Sequence, residues 1–303
     1  MRVGFIGLGQ MGANMAARVL QGGHEILVHD LDKSRSVGLL AAGAAWVDRP
    51  SACAAGADIV ITSLPGPKQC EQVLRGADGL LLGIEPGAIW LEMTTNRPQL
   101  VVDLAAEMKS RGASTLEAPV TGAVDGARKG KLTIFAGGDV DILLRATPVL
   151  ETMGRVIPCG PIGTGNVTKL VTNLLWFIHA TALGEALVLG KKAGVELGTL
   201  WEAIKSSVGD SFVARHDAPS IFAGHYDPSF SLDLCVKDLT LTMEIAEGAG
   251  VQIELGQLVK NRFEHACKQF GGSSAELLVV KLLEDATAVN LRLAGDWPKH
   301  WEA

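Results

Sequence analysis

An α/β architecture is what this chain predicts: a doubly wound parallel sheet at the N-terminus, then an all-helical C-terminal domain joined to it by a long central helix. Three observations carry that expectation. Over residues 1 to about 160, short apolar runs alternate with helix-like segments. After "RVIPCGPIGTGN" the strand signals stop, and the stretch from Thr164 to Lys192 is far longer than any of the preceding runs.

The runs are "RVGFIG", "HEILVHD", "ADIVITSLP", "AIWLEM", "STLEAPV" and "LTIFAGG". Most are near-continuously apolar and bounded by Gly, Pro or Asp, as expected of parallel strands covered on both faces. Strands alternating with helices build a doubly wound, Rossmann-type domain. Helical segments then run through Thr164 to Ala193, Leu197 to Ser206, Asp233 to Gly248 and Ile253 to Phe270, ending near Ala294. Gly and Pro cluster at Pro161 to Gly165, which sets the expected domains at 1–161 and 162–303. A helix of about 28 residues would be roughly 42 Å long. Its apolar residues wrap the whole circumference, so it is expected to be enclosed by other helices, with a second subunit supplying part of the cover in a homodimer or homotetramer.

The bulk numbers narrow the class. The chain has 303 residues, enough for two cores, with 48% hydrophobic and 20% charged residues, which excludes a disordered chain. A net charge of −6 leaves no electrostatic footprint for nucleic acid, and the one compact basic run, "ARKGK", reads as a solvated turn. Cys53, Cys70, Cys159, Cys235 and Cys267 are odd in number and form no C-x-x-C, so reduced thiols and a cytoplasmic location are expected, with no structural zinc. The seven histidines show no H-x-x-x-H ligand spacing, so no metal site is expected. "MRVGFIGLG" enters a strand pattern without a basic or apolar leader. Leu170 to Gly190 is long enough to cross a bilayer, but Asn173, His179 and Glu185 interrupt it and favour a core helix.

Chemistry is concentrated in a few stretches. In "GFIGLGQMG", Gly7, Gly9 and Gly12 form G-x-G-x-x-G between a strand and a helix. Gly7 permits the tight turn, Gly9 lets backbone approach a diphosphate, and Gly12 allows close helix-strand packing, while the amides from Leu8, Gln10 and Met11 onward face the anion. Asp30 ends the second strand run about 20 residues later, where a carboxylate accepts from ribose hydroxyls and repels a 2′-phosphate. That favours NAD over NADP, although Lys33 and Arg35 lie near enough to tolerate a phosphate. Thr121, Gly122 and Ala123 follow the run ending at Val120 and offer a hydroxyl and free amides, either a simple turn or a cradle for a small carboxylate. Lys169 and Asn173 are four apart and share a helix face. A lysine whose pKa falls on burial can act as a proton acceptor; alternatively it snorkels from a helix start.

The chain resembles the β-hydroxyacid dehydrogenase family, which is 3-hydroxyisobutyrate dehydrogenase-like and includes tartronate semialdehyde and succinic semialdehyde reductases. The resemblance runs end to end through "GFIGLGQMGANMA", "EAPVTGAVDGARKGKLTIFAGG", "GTGNVTKLVTN" and "FSLDLCVKDLTL". It implies a hydride transfer between a nicotinamide cofactor and a small β-hydroxy acid or semialdehyde bound between the domains, with Lys169 as the catalytic residue and Asn173 hydrogen-bonding substrate. It further implies that Thr121, Gly122 and Ala123 hold the substrate carboxylate. Leu64, Pro65 and Thr95 would contact the cofactor, Lys237 would close over nicotinamide and substrate, and Phe230 would shape the same wall. The chain departs from the family pattern with Thr121 for serine, Ala123 for the second glycine and Glu117 for aspartate. The tail residues Trp297 and Trp301 are read either as a cover over an active site or as surface packing.

Other readings are possible on sequence. Decarboxylating 6-phosphogluconate dehydrogenase carries K-x-x-H-N, whereas Thr172 stands at the histidine position here and the chain is shorter. Imine or imino-acid reductases share the architecture but usually lack the lysine. A non-catalytic NAD-binding module would not need both Lys169 and Asn173.

Overall fold

The computed structural model describes residues 1–297 and 299. It divides into two compact units, Met1–Lys169 and a second that starts at Leu170.

The first unit is built on a nine-stranded sheet: β1 (Arg2–Ile6), β2 (Glu25–His29), β3 (Ala45–Trp46), β4 (Ile59–Thr62), β5 (Ile89–Glu92), β6 (Ser114–Glu117), β7 (Val120–Thr121), β8 (Leu132–Gly137) and β9 (Gly154–Gly160). Their order is β3-β2-β1-β4-β5-β6-β8-β7, with β9 paired to β8. From β3 to β6 every pairing is parallel, the order of a doubly wound dinucleotide-binding sheet. Because side chains alternate across a strand, the apolar runs feed two cores. Phe5, Ile61 and Leu91 join one cluster, while Ile6, Val60 and Trp90 join the other. This two-sided burial explains why the runs lack polar alternation.

The sheet departs from the all-parallel expectation at its far edge. "STLEAPV" is interrupted at Ala118–Pro119, and both pieces, β6 and β7, run antiparallel to β8 in one register, Glu117 opposite Gly137 and Thr121 opposite Thr133. Pro119 has no amide to donate, which breaks the strand, while its carbonyl accepts from the Phe135 amide and keeps the register with β8. The two-residue strands β3 and β7 leave no readable period, and β9 was hidden in a Pro- and Gly-rich run.

The second unit is helical, with helices at Leu197–Lys205, Ala218–Ala223, Leu232–Gly248, Glu254–Phe270 and Leu278–Thr287 and a π-helical turn at Val213–Asp217. Its core centres on Phe177, Phe222 and Phe263, the rings of Phe177 and Phe263 meeting edge-on at 5.2 Å. Trp297 belongs to this packing: its ring lies 5.7 Å from Trp201 and 5.8 Å from Phe222, and its indole donates to the Leu293 carbonyl. Trp301 lies outside the described residues.

The long helix runs from Thr164 to Lys192. Within this chain it is enclosed on part of its circumference only. Leu170, Phe177 and Leu187 are fully buried, but Val171, Leu175 and Leu189 are 48%, 52% and 71% exposed. Those three recur at helical spacing and form an apolar stripe on one face. The helix is long and apolar enough to cross a membrane by length and composition.

Candidate active site

At the glycine turn, each glycine answers to a different steric demand. Gly7 has φ +98°, and a Cβ there would lie 2.2 Å from the Ser63 carbonyl oxygen. A Cβ on Gly12 would lie 1.9 Å from the Gly7 carbonyl oxygen, so the helix Gln10–Gln21 approaches β1 only because that residue has none. At Gly9 the space is open, the nearest atom to an added Cβ being Arg35 Nη1 at 3.9 Å. An open cradle beside a helix N-terminus suits a diphosphate, since the first amides of a helix have no intrahelical acceptors. The dinucleotide therefore fits the residues present.

Asp30, just beyond β2, is tied into this turn. Its Oδ2 accepts from the Leu8 amide at 2.6 Å and its Oδ1 from the Asp32 amide at 2.9 Å. Each carboxylate oxygen keeps a further lone pair for a ribose hydroxyl. Arg35 stands nearby, its Nη1 3.9 Å from Asp30 and its Nε 3.5 Å from Asp32. The negative charge of Asp30 thus has a guanidinium close to it.

At the carboxyl edge of the parallel strands, Ile6, Thr62, Glu92 and Glu117 stand in one register across β1, β4, β5 and β6. The sequence-predicted contacts Leu64 and Pro65 follow β4, and Thr95 follows β5, so the sheet brings them to the same edge as the glycine turn. Hydrogen bonds link the two segments: the Leu64 amide donates to Thr94 Oγ1, and the Thr94 amide donates to Glu92 Oε1 at 2.6 Å. Glu92 is fully buried, and burial pushes its carboxyl up to about 7 against the pull of its donors. An ordinary glutamate titrates near 4.5. Between those values the folded chain holds a proton that the unfolded chain has lost, so this group alone lowers stability as pH rises through that window.

Glu117, a departure from the family pattern, caps the long helix. It accepts from the Gly165 amide at 2.7 Å and from the Asn166 amide and side chain at 3.2 and 2.6 Å. A carboxylate at a helix N-terminus satisfies orphan amides and complements the dipole. Burial raises its pKa while these bonds oppose the shift. Asn166 also accepts from the Asn96 amide at 2.7 Å, which ties the segment after β5 to the helix start. Lys169 lies three residues on and is 8% exposed.

Thr121 closes β7, and Gly122 and Ala123 follow with φ +124° and +53°. Gly122 adopts that region freely, but Ala123 carries a Cβ there, at a strain of roughly 1–2 kcal/mol. A glycine, as the family pattern has it, would be relaxed at this position.

In the second unit Asn173 and Lys237 meet on one carboxylate. Asn173 Nδ2 donates to Asp238 Oδ2 at 2.7 Å, and Lys237 Nζ lies 2.7 Å from Asp238 Oδ1. Asp238 is 1% exposed. Phe230 packs partly buried against the core of this unit. The sequence reading passed over Asp238 and Glu92. Glu92 has a visible signal, a charge at the end of the apolar strand "AIWLE"; Asp238 adjoins Lys237, and adjacent helical residues do not normally face each other.

Residues 2–165 match a family model described as the NAD binding domain of 6-phosphogluconate dehydrogenase, and residues 163–283 match one described as the NAD-binding domain of NADP-dependent 3-hydroxyisobutyrate dehydrogenase. The chain is 35% identical over 296 residues to the NAD-dependent L-serine dehydrogenase of Pseudomonas aeruginosa, covering 94% of this chain and 98% of that one. The chain belongs to the β-hydroxyacid dehydrogenase family. With it goes the reaction class, an NAD(P)-dependent hydroxyacid oxidoreductase. The 3-hydroxyisobutyrate dehydrogenase of the same bacterium is also 35% identical, over 86% of this chain and 90% of that one. A solved 3-hydroxyisobutyrate dehydrogenase from Mycobacterium tuberculosis, with L-serine, superposes with TM-score 0.86 at 29% identity, covering 93% of this chain and 98% of that one. An imine reductase of Streptomyces aurantiacus shares the fold at 21% identity and TM-score 0.61, covering 93% and 99%. The family is therefore the one the four motifs resemble, and the imine reductases stand further off. The long apolar helix falls within the second matched domain.

Proposed function

We propose that the protein oxidises the hydroxymethyl group of a small β-hydroxy acid, and reduces the corresponding semialdehyde, with Lys169 as the proton acceptor and donor. The observation that carries this reading is the burial of Lys169 one helical turn from Asn173, which itself is held by Asp238. The relatives support the substrate class. L-serine and 3-hydroxyisobutyrate both carry a hydroxymethyl group on the carbon next to a carboxylate and differ only in the substituent there.

The bound nicotinamide supplies the hydride acceptor and donor. Lys169 Nζ takes the hydroxyl proton as the carbon is oxidised and returns it in reduction; such proton transfer contributes roughly 10²- to 10⁴-fold. Asn173 orients the hydroxyl, and Thr121 with the amides of Gly122 and Ala123 receives the carboxylate. The amides around Gly7, Leu8, Gly9, Gln10, Met11 and Gly12 take the diphosphate, and Asp30 the adenosine ribose. Leu64, Pro65 and Thr95 flank the nicotinamide half, with Lys237 and Phe230 completing its wall. Orientation of this kind supplies much of the rate. Asp30 favours NAD, and Arg35 beside it tempers the discrimination against NADP. The five free cysteines support a cytoplasmic setting.

The test is reduction of NAD and NADP with 3-hydroxyisobutyrate, glycerate, 4-hydroxybutyrate, L-serine and bulkier β-hydroxy acids. Turnover of at least one, faster with NAD, is expected; silence across the panel despite cofactor binding would overturn the reading in favour of an imine-type substrate or a sensing role.

Asp238→Asn keeps the volume but removes the charge that Lys237 meets. Charge-assisted hydrogen bonds contribute about 1.5–3 kcal/mol, so turnover per KM should fall about tenfold or more while the fold melts nearly as before. An unchanged ratio would show that this carboxylate does not organise the substrate side.

The exposed stripe of Val171, Leu175 and Leu189 supports a homo-oligomer, since a second copy of the helix would cover it. Light scattering on the eluting protein should give at least twice the chain mass, and Leu175→Glu should shift it towards the monomer. A monomeric wild type would contradict this assignment.

A further inference from the structure

Four donors and two carboxylate oxygens meet beneath the cofactor edge. Glu92 Oε2 accepts from Thr62 Oγ1 at 2.6 Å and from Cys70 Sγ at 3.1 Å, and Oε1 accepts from the Thr94 amide. Thr62 Oγ1 in turn accepts from the Trp90 indole at 2.9 Å. Glu92, Thr62, Cys70 and Trp90 are fully buried and Thr94 is 2% exposed. A buried carboxylate is costly, and it is retained here with every immediate neighbour donating to it. The Thr94 hydroxyl then accepts the Leu64 amide, so one side chain fixes both the segment after β4 and the segment after β5.

We propose that Glu92 is a positioning residue for the cofactor: through Thr94 it holds Leu64, Pro65 and Thr95 in the conformation that receives the nicotinamide half. This rests on the assignment of those three residues to the cofactor. The glutamate does not touch the cofactor and acts only through the two loops. Its geometry suits the ionised form, because the Thr62 hydroxyl, the Cys70 thiol and the Thr94 amide all present hydrogens to its oxygens. The titratable groups on the elements packed against it are Cys70 on the helix Pro67–Arg75, which hydrogen-bonds it, with Glu71 beside Cys70, and Glu117 in register on β6. Cys70 stays a neutral thiol, its pKa raised well above the ordinary by burial and by Glu92. Burial brings Glu92 itself up to about 7, so its protonation falls within the working range. Below that pH the proton displaces one of the three donors and loosens the loops; above it the network is complete.

The experiment compares wild type and Glu92→Gln by calorimetric NADH binding and by steady-state kinetics from pH 6 to pH 9. The amide offers one acceptor oxygen and turns a donor towards Thr62 and Cys70. The cofactor Kd and KM should rise about tenfold, the cost of one buried hydrogen bond lost. At saturating cofactor, kcat and the substrate KM should change by less than about twofold. In wild type the cofactor KM should climb as pH falls through about 7, and in Glu92→Gln that climb should vanish. A merely structural role would leave the pH profile intact. Cofactor binding within twofold of wild type, with the same pH profile, would overturn the inference. If Glu92→Gln does not fold, Thr94→Val, which removes the hydroxyl that links Glu92 to the Leu64 amide, decides by the same two outcomes. Failure of the wild type itself to bind NADH or NADPH would instead overturn the functional reading and this inference with it.

Discussion

Lys169→Ala is expected to lower turnover by about 10²-fold or more while NADH binds within about twofold of wild type. The residue lies in the helix Thr164–Lys192, just past an N-terminus capped by Glu117, and its side chain is 8% exposed. Alanine at that place keeps the helix, because its propensity is the highest of all residues and the capping bonds from Gly165 and Asn166 do not involve the side chain at 169. The cofactor turn is set by β1 and the helix Gln10–Gln21, and the atoms nearest to its glycines belong to Ser63, Leu64, Arg35, Gly7 and Phe5. Loss of the amine therefore removes the proton acceptor while the helix cap and the cofactor turn stay in place. Calorimetry for NADH and stopped-flow measurement of the first turnover separate the two effects. Turnover within tenfold of wild type would remove Lys169 from the chemistry, and a parallel loss of NADH binding would place it in cofactor recognition.

The second large effect comes from two glycines three residues apart that should behave in opposite ways. Gly12→Ala places a methyl 1.9 Å from the Gly7 carbonyl oxygen, a backbone atom that cannot swing aside. Overpacking of this kind costs about 1–3 kcal/mol, and at roughly 2–4 °C per kcal/mol the melting temperature should fall by about 5–10 °C. Gly9→Ala meets nothing closer than Arg35 Nη1 at 3.9 Å, and Gly9 already has φ −64°, which alanine adopts without strain. Its methyl instead occupies the cradle, so the protein should melt as wild type does and lose about tenfold or more in cofactor affinity. Melting curves and NADH titrations on both variants test the pair. Equal melting temperatures for the two, or undiminished NADH binding by Gly9→Ala, would contradict the division of roles.

Much of this was legible before any coordinates. The apolar runs for β1, β2, β4 and β5 are unmistakable because both faces of those strands are buried, and the three glycines have the separate steric roles that their spacing implied. The long helix begins and ends at Thr164 and Lys192, as its apolar content and flanking glycines indicated. What was hidden depended on partners distant in sequence. The two residues of β7 are a strand only because they carry the register of β6 against β8 past Pro119. An apolar circumference does not distinguish cover by the same chain from cover by another, so the exposure of Val171, Leu175 and Leu189 required coordinates.

The polar residues beneath the site were hidden for a related reason. Glu117 reads as a conservative replacement for aspartate, yet it reaches 48 residues along the chain to Gly165. Asp238 reads as the neighbour of a functional lysine, yet it unites that lysine with Asn173, 65 residues away. Glu92 reads as a strand terminus, and only its three donors reveal a buried network. Residues that touch ligands announce themselves through motifs; those that hold them in place do so through contacts that spacing alone does not encode.

The central claim is hydride transfer from the carbon that bears the substrate hydroxyl. It is tested most directly by incubating the protein with NAD and L-serine or 3-hydroxyisobutyrate deuterated at the hydroxymethyl carbon, then weighing the reduced cofactor by mass spectrometry. One deuterium in the NADH formed by wild type, with almost none formed by Lys169→Ala, is the predicted result. NADH that carries no deuterium, or no NADH from any β-hydroxy acid of the panel while the cofactor binds, would contradict it.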